Sequence, residues 1–108
     1  PLAVAPLDMS ALAREVVAEL GRAYPKTRVD LEVLPSAVGD RALLRQVWTN
    51  LIGNALKYSA RRESPRVEIG GRLDGTECRY WVRDNGAGFD MRYCEKLFGV
   101  FQRLHREE

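Results

Sequence analysis

The sequence predicts an α/β domain: a two-layer sandwich in which a mixed sheet carries helices on one face. Three observations carry that expectation. Segments with helical spacing of apolar residues alternate with short segments of period two. An Asp-Gly pair links two such alternating runs, Arg66–Leu73 and Thr76–Asp84, as in a β-hairpin. Finally, the longest helical segment is apolar along one broad side only, so it needs one partner layer. At 108 residues the chain is long enough for a single domain with a modest core.

Taken in order, Pro1–Pro6 reads as the end of a linker. LDMSALAREVVAEL (7–20) places apolar residues at 9, 12, 13, 16, 17 and 20, which predicts a helix. Asp8 or Ser10 would cap it, and Gly21 with Pro25 would stop it. Val29–Leu34 alternates, with Val29, Leu31 and Val33 on the buried side of a short strand. Pro35–Gly39 reads as a turn or loop, after which Asp40 caps a long helix over about Arg41–Tyr58. Leu44, Val47, Trp48, Leu51, Ile52, Ala55 and Leu56 form its core side.

SARRESP (59–65) is a polar loop leading to the hairpin. A two-residue Asp74-Gly75 turn would pair 73 with 76, 69 with 80 and 67 with 82. Val67, Ile69, Cys78, Tyr80 and Val82 then share the core face, and Asp84 leaves the strand pointing the same way. MRYCEKLF (91–98) reads as a short closing helix.

Composition excludes several function classes. A net charge of +2, with 17 basic residues spread along the chain, gives no nucleic-acid or anionic-membrane patch. No apolar run approaches the roughly 18 residues of a membrane span, and no secretory leader pattern opens the chain. Cys78 and Cys94 lack metal-ligand spacing and read as reduced thiols of a cytoplasmic protein.

Two constellations point to chemistry. Gln46, Asn50, Asn54 and Lys57 form a polar stripe on the long helix at i, i+4, i+8 and i+11. An amide oxygen is a hard, neutral ligand suited to Mg²⁺, and a lysine adds a point charge for phosphate. Surface helices commonly carry polar residues at this spacing, but asparagine is a poor helix former and two in mid-helix need a reason. The second constellation is VRDNGAGFD (82–90). It can be a plain strand-to-helix turn. It is no EF-hand, since Gly86 takes the third position, and no dinucleotide fingerprint, since Met91 stands where the third glycine belongs. An inward aspartate needs a partner, and an exocyclic amine such as that of adenine suits it.

In order, WTNLIGNALKYS, a hairpin, VRDNGAGFD and KLFGVFQRLH resemble the ATP-binding catalytic domain of bacterial sensor histidine kinases, from about Asp40 to His105. The segments are similar to that family's N box (about 46–58), first glycine box (84–90) and F box (97–104). LFGVFQRLH is most similar to the phytochrome-related and PAS-containing group. The resemblance implies a Bergerat-type fold and ATP with Mg²⁺ as cofactors. Asn54 matches the residue coordinating Mg²⁺, and Asn50 the residue lining the phosphate end. Lys57 would approach the phosphates, and Tyr58 would pack near the nucleotide. Asp84 matches the aspartate that bonds the adenine amine, while Gly86 and Gly88 shape that pocket. Phe98 and Phe101 match the aromatics that anchor the lid. Asn50 and Lys57 are then the catalytic candidates.

The implied partners are the dimerisation domain bearing the phospho-acceptor histidine and a downstream response regulator. The intact kinase would be a homodimer, soluble or membrane-attached, with this domain in the cytoplasm and neither nucleic acid nor membrane touching it.

Departures from the pattern qualify these expectations. Gln46 stands where some relatives carry a glutamate and cannot accept a proton. Phe89 replaces a small aliphatic residue. His105, the single histidine, lies in the F-box tail rather than in an acceptor context. The second glycine box, G-T-G-x-G-L, does not follow within these residues. The sheet is therefore expected to be incomplete at its C-terminal side, and the chain alone to bind nucleotide weakly or not at all. Two rivals are a gyrase-type or anti-sigma relative, which would lack LFxxFxR, and a degenerate domain serving as a signalling or dimerisation module.

Overall fold

The computed structural model describes residues 4–86 in full, and 90–96 and 101–105 as backbone strands. It has the expected two layers, and the chain runs as β1 (Val4–Leu7), α1 (Met9–Leu20), a 3₁₀ turn (Gly21–Ala23), β2 (Arg28–Leu31) and β3 (Ala37–Asp40). It continues as α2 (Arg41–Ser59), β4 (Arg66–Asp74), β5 (Glu77–Asp84), β6 (Asp90–Lys96) and β7 (Phe101–His105).

Both helices start at the aspartates that the sequence marks. Asp8 Oδ1 accepts from Ala11 N at 3.0 Å, and Asp40 Oδ1 accepts from Leu43 N at 3.0 Å. Ser10 is taken up elsewhere, its Oγ accepting from Leu34 N at 2.7 Å and pinning the loop before β3. Gly21 caps α1, which ends at Leu20 as the sequence marks, and a 3₁₀ turn over Gly21–Ala23 follows before Pro25.

The main sheet runs β2-β4-β5-β6-β7. β2 and β4 are parallel, with α2 in the connection between them, and every other neighbouring pair is antiparallel, so the sheet is mixed. Leu44, Trp48, Leu51, Ile52, Ala55 and Leu56 of α2 bury against Val67, Ile69, Cys78, Tyr80 and Val82, the face expected from strand parity. Met9, Leu12, Ala13 and Val16 of α1 close the core's other side. Trp48 and Tyr80 meet edge to face, with ring centroids 5.8 Å apart and planes at 78°. On the solvent side Glu15 bridges to Arg41 and Arg45, and Glu19 to Arg45, tying α1 to α2. The hydrogen bond from Arg41 holds the Glu15 carboxyl below its ordinary pKa.

Several expectations need correction. The linker and the loop both contain strands: β1 pairs antiparallel with β3, Val4 opposite Asp40 and Leu7 opposite Ala37. Each segment carries a proline or glycine that masks a strand in single-sequence reading, and each gains its hydrogen bonds only from the other. Val33 is 91% exposed because β2 ends at Leu31 and the alternation stops with it. The hairpin closes one step later than predicted, with Asp74 opposite Glu77, Ile69 opposite Val82 and Val67 opposite Asp84. A type I′ turn at Asp74-Gly75 would force Asp74 to positive φ, whereas Gly75 alone takes it, at 64°. Gly75 and Thr76 therefore form the loop. The pairing slips by two residues, and a slip of two keeps every side chain on its face.

The closing helix is the largest correction. Residues 90–96 form β6, which pairs with β5 (Val82 opposite Met91), and β7 pairs with β6. The alternation of Met91 and Tyr93 with Arg92 and Cys94 suits a strand. β5 would otherwise offer a bare edge, which is a strong template for pairing.

Candidate functional site

The site forms where the last turn of α2 meets the end of β5. The core-facing parity of β5 carries Asp84 inward, and it is 6% exposed. Its Oδ1 accepts from Gly86 N at 2.7 Å, closing a tight turn in the Asp-Asn-Gly segment. Gly86 then lies directly on α2. A Cβ placed there would stand 2.0 Å from Tyr58 O and 2.6 Å from Ser59 N. The space this glycine leaves is filled by the protein's own helix backbone.

Asn85 fixes the other side of the turn. Its Oδ1 accepts from Arg66 N at 3.0 Å, its Nδ2 donates to Ser64 O at 2.9 Å, and its own N donates to Arg66 O at 3.2 Å. Arg62 Nη2 adds a bond to Gly86 O at 3.3 Å. Loop 60–65 and the 84–86 turn are therefore one hydrogen-bonded unit. Asn85→Ala removes both side-chain bonds, and we expect a loss of roughly 1–2 kcal/mol, measurable by urea denaturation. Unchanged stability would mean that solvent satisfies Ser64 and Arg66 equally well.

Lys57, Tyr58, Arg61, Arg62 and Gly86 line a cavity of about 470 Å³. Of the residues predicted from sequence, Lys57, Tyr58 and Gly86 meet here. Asn50 and Asn54 lie further back on α2, exposed and half-buried respectively, and are not among the lining residues. Gln46 is exposed one turn before Asn50. Asp84 is not among the lining residues, but it is hydrogen-bonded to one of them, Gly86. Gly88 and Phe98 lie outside the described residues, as does Phe89; Phe101 and His105 are placed only as backbone of β7. No cluster of three or more metal-ligating side chains occurs among the described residues. Half-buried Asn54 would offer Mg²⁺ one hard amide oxygen, leaving the other positions to phosphate oxygens and water.

Sequence reasoning missed Asn85, Arg61 and Arg62. Asn85 read as an ordinary turn residue, and the arginines as part of a polar loop. An adjacent basic pair one turn past the stripe was the available signal.

Residues 39–108 match the family described as histidine kinase-, DNA gyrase B- and HSP90-like ATPases. The chain belongs to this family. The methanogenesis regulatory histidine kinase FilI of Methanothrix harundinacea is 35% identical over 92 residues, which are 85% of this chain and 9% of FilI. The phytochrome-like protein Cph1 of Synechocystis is 31% identical over 103 residues, 94% of this chain and 14% of Cph1. Among solved structures, histidine kinase ThkA in complex with response regulator protein TrrA superposes with a TM-score of 0.67 at 23% identity, covering 77% of this chain and 26% of that one. The chain thus spans a small part of the proteins it matches, and it is the ATP-binding domain of a sensor histidine kinase. No helix among the described residues is long and apolar enough to cross a membrane.

Proposed function

We propose that the whole protein transfers the γ-phosphoryl group of ATP to a histidine on a separate dimerisation domain, and from there to an aspartate of a response regulator. The observation that carries this reading is the convergence of Lys57, Tyr58 and Gly86 on one cavity beside the buried Asp84. The Asp84 carboxylate accepts the adenine amine; a carboxylate has several acceptor sites, so its bond to Gly86 N does not exhaust it. Tyr58, 39% exposed at the cavity, packs on the nucleotide. Lys57 and Asn50 hold the phosphate end, and Asn54 supplies an oxygen to Mg²⁺. That ion, when bound, neutralises charge on the β- and γ-phosphates.

The acceptor imidazole nitrogen attacks the γ-phosphorus, the bond to the bridging oxygen breaks, and ADP leaves. The protein residues contribute positioning and electrostatics. Gln46 holds no proton-accepting group, so the attacking imidazole must arrive neutral or lose its proton elsewhere. Gly88, Phe98 and Phe101 keep the pocket and lid roles that the motif match gives them. The working kinase is a homodimer whose ATP-binding domain lies in the cytoplasm, whether the full protein is soluble or membrane-attached. The pairing of ThkA with TrrA in one crystal structure supports a response regulator as the partner. A degenerate, non-catalytic role fits less well, because Asn54, Asp84, Gly86 and Gly88 are all retained.

Asp84→Asn exchanges an acceptor for a group that presents its NH₂ to the adenine amine. We expect ADP binding by the full-length protein to fall at least a hundredfold in calorimetry, by analogy with the cost of an unpaired buried polar group. Wild-type affinity in that variant would remove the adenine assignment.

A further inference from the structure

We propose that Asn85 sets the preference for the nucleotide's base without touching the base, as a positioning residue that aims the Asp84 carboxylate; this rests on the adenine reading given above. The reason lies in how the ladder between β4 and β5 ends. In an antiparallel pair, opposite residues alternately exchange two main-chain hydrogen bonds and none. Arg66 and Asn85 form the last exchanging pair, and only half of it is ordinary: Asn85 N donates to Arg66 O at 3.2 Å. Arg66 N donates instead to the side-chain Oδ1 of Asn85, at 3.0 Å. The side chain stands in for the main-chain carbonyl. The rung closes, and the backbone is left to turn toward Gly86 and α2.

Asp84 lies one residue inside that rung, opposite Val67, in a pair that by the alternation exchanges no bonds with β4. Its place against β4 is therefore inherited from its neighbours, and on the side of the site that neighbour is Asn85. Strand ends open at little cost unless something closes them. The far end of the closure is itself held. Arg66 Nε donates to Asp30 Oδ2 at 3.0 Å and Arg28 N to Pro65 O at 3.0 Å, so β2 fixes the start of β4. Asn85 Nδ2 adds Ser64 O at 2.9 Å and brings loop 60–65 under the same residue. Asn85 is exposed and does not line the cavity, so it acts through Asp84 and not as a ligand. Without its side chain, Arg66 N has two courses. It turns to water and the rung opens, or the carbonyl of residue 85 swings in and pulls Gly86 off α2. Both redirect Asp84.

The test titrates the full-length protein calorimetrically with ADP and with purine riboside 5′-diphosphate, which is ADP without its exocyclic amine. The wild type should prefer ADP at least about a hundredfold, since the analogue takes away the donor that Asp84 would meet. In N85A we expect ADP to bind roughly tenfold more weakly and the analogue to bind as before, so the preference contracts by the same factor. N85D keeps an acceptor for Arg66 N and gives up only the donor to Ser64 O. It should retain most of the preference, because the rung is what aims Asp84. Equal weakening of both ligands in N85A would overturn the proposal, since Asn85 would then serve the fold alone. So would affinities unchanged in N85A, or a preference in N85D as small as in N85A. A wild type that binds both ligands alike removes the adenine reading itself, and the proposal with it. A wild-type preference that survives in N85A removes the proposal and leaves that reading standing.

Discussion

Gly86→Ala is expected to detach the Asp-Asn-Gly turn from α2 and abolish the site. Gly86 is not at positive φ, a conformation that only Gly75 takes among the described residues, so alanine would fit the local backbone. The obstacle is space. The added methyl would stand 2.0 Å from Tyr58 O and 2.3 Å from Tyr58 C, and these are helix backbone atoms with no rotamer to change. Overpacking of a compact interior costs about 1–3 kcal/mol even where side chains give way. With backbone on both sides the upper end applies, or the turn lifts away and takes the Arg62 bond and the Asp84 geometry with it. The expected readouts are a fall in Tm on the order of 10 °C and a loss of ADP affinity by more than tenfold in the full-length protein. A variant with normal Tm and normal ADP binding would show that the turn does not rest on α2.

The largest stability effect is expected at Trp48. Its ring is 2% exposed, packs edge-on against Tyr80, and buries an Nε1–H that has no acceptor among the described residues. Tyr80, by contrast, sends its hydroxyl to Pro35 O at 2.6 Å. Trp48→Ala leaves a cavity where α2 meets the sheet and should cost about 3–5 kcal/mol. Trp48→Phe loses part of the ring but also removes an unsatisfied buried donor, which is worth about 1–3 kcal/mol on its own. The two contributions oppose each other, so Trp48→Phe should cost no more than about 1 kcal/mol. Urea denaturation of both variants decides the matter. Equal losses for phenylalanine and alanine would mean that Nε1–H is satisfied in solution.

The contrast between these two sites bears on what the amino-acid pattern reveals. Side-chain periodicity is local information, and it placed α1, α2, their aspartate caps and the core faces of β4 and β5 correctly. Asp84 could be aimed inward from parity alone, and even the hairpin error left it there, because the slip was by two residues. Features that depend on a distant partner were not legible. β1 and β3 exist as strands only through each other. β6 forms on the edge of β5, against a spacing that reads equally well as helical. The same holds within the site. Lys57, Tyr58 and Gly86 belong to motifs, whereas Asn85 acquires its role only through Ser64 and Arg66, about twenty residues away in the chain. That Gly86 makes room for a helix rather than for a ligand is a matter of packing, and no spacing rule contains it.

The parallel pairing of β2 with β4 has a consequence in time. Arg28 lies opposite Arg66, a separation of 66 − 28 = 38 residues, and all of α2 lies between them. During synthesis at about 5–20 residues per second, β2 therefore waits on the order of seconds for a partner to emerge. The hairpin of β4 and β5, by contrast, closes within microseconds of its own completion. The first half of the chain can form helices but no main sheet, and the turn bearing Asp84 is completed only at the end of the same hairpin. The ordering of the sheet and the creation of the candidate site are thus a single event, set by the arrival of the hairpin.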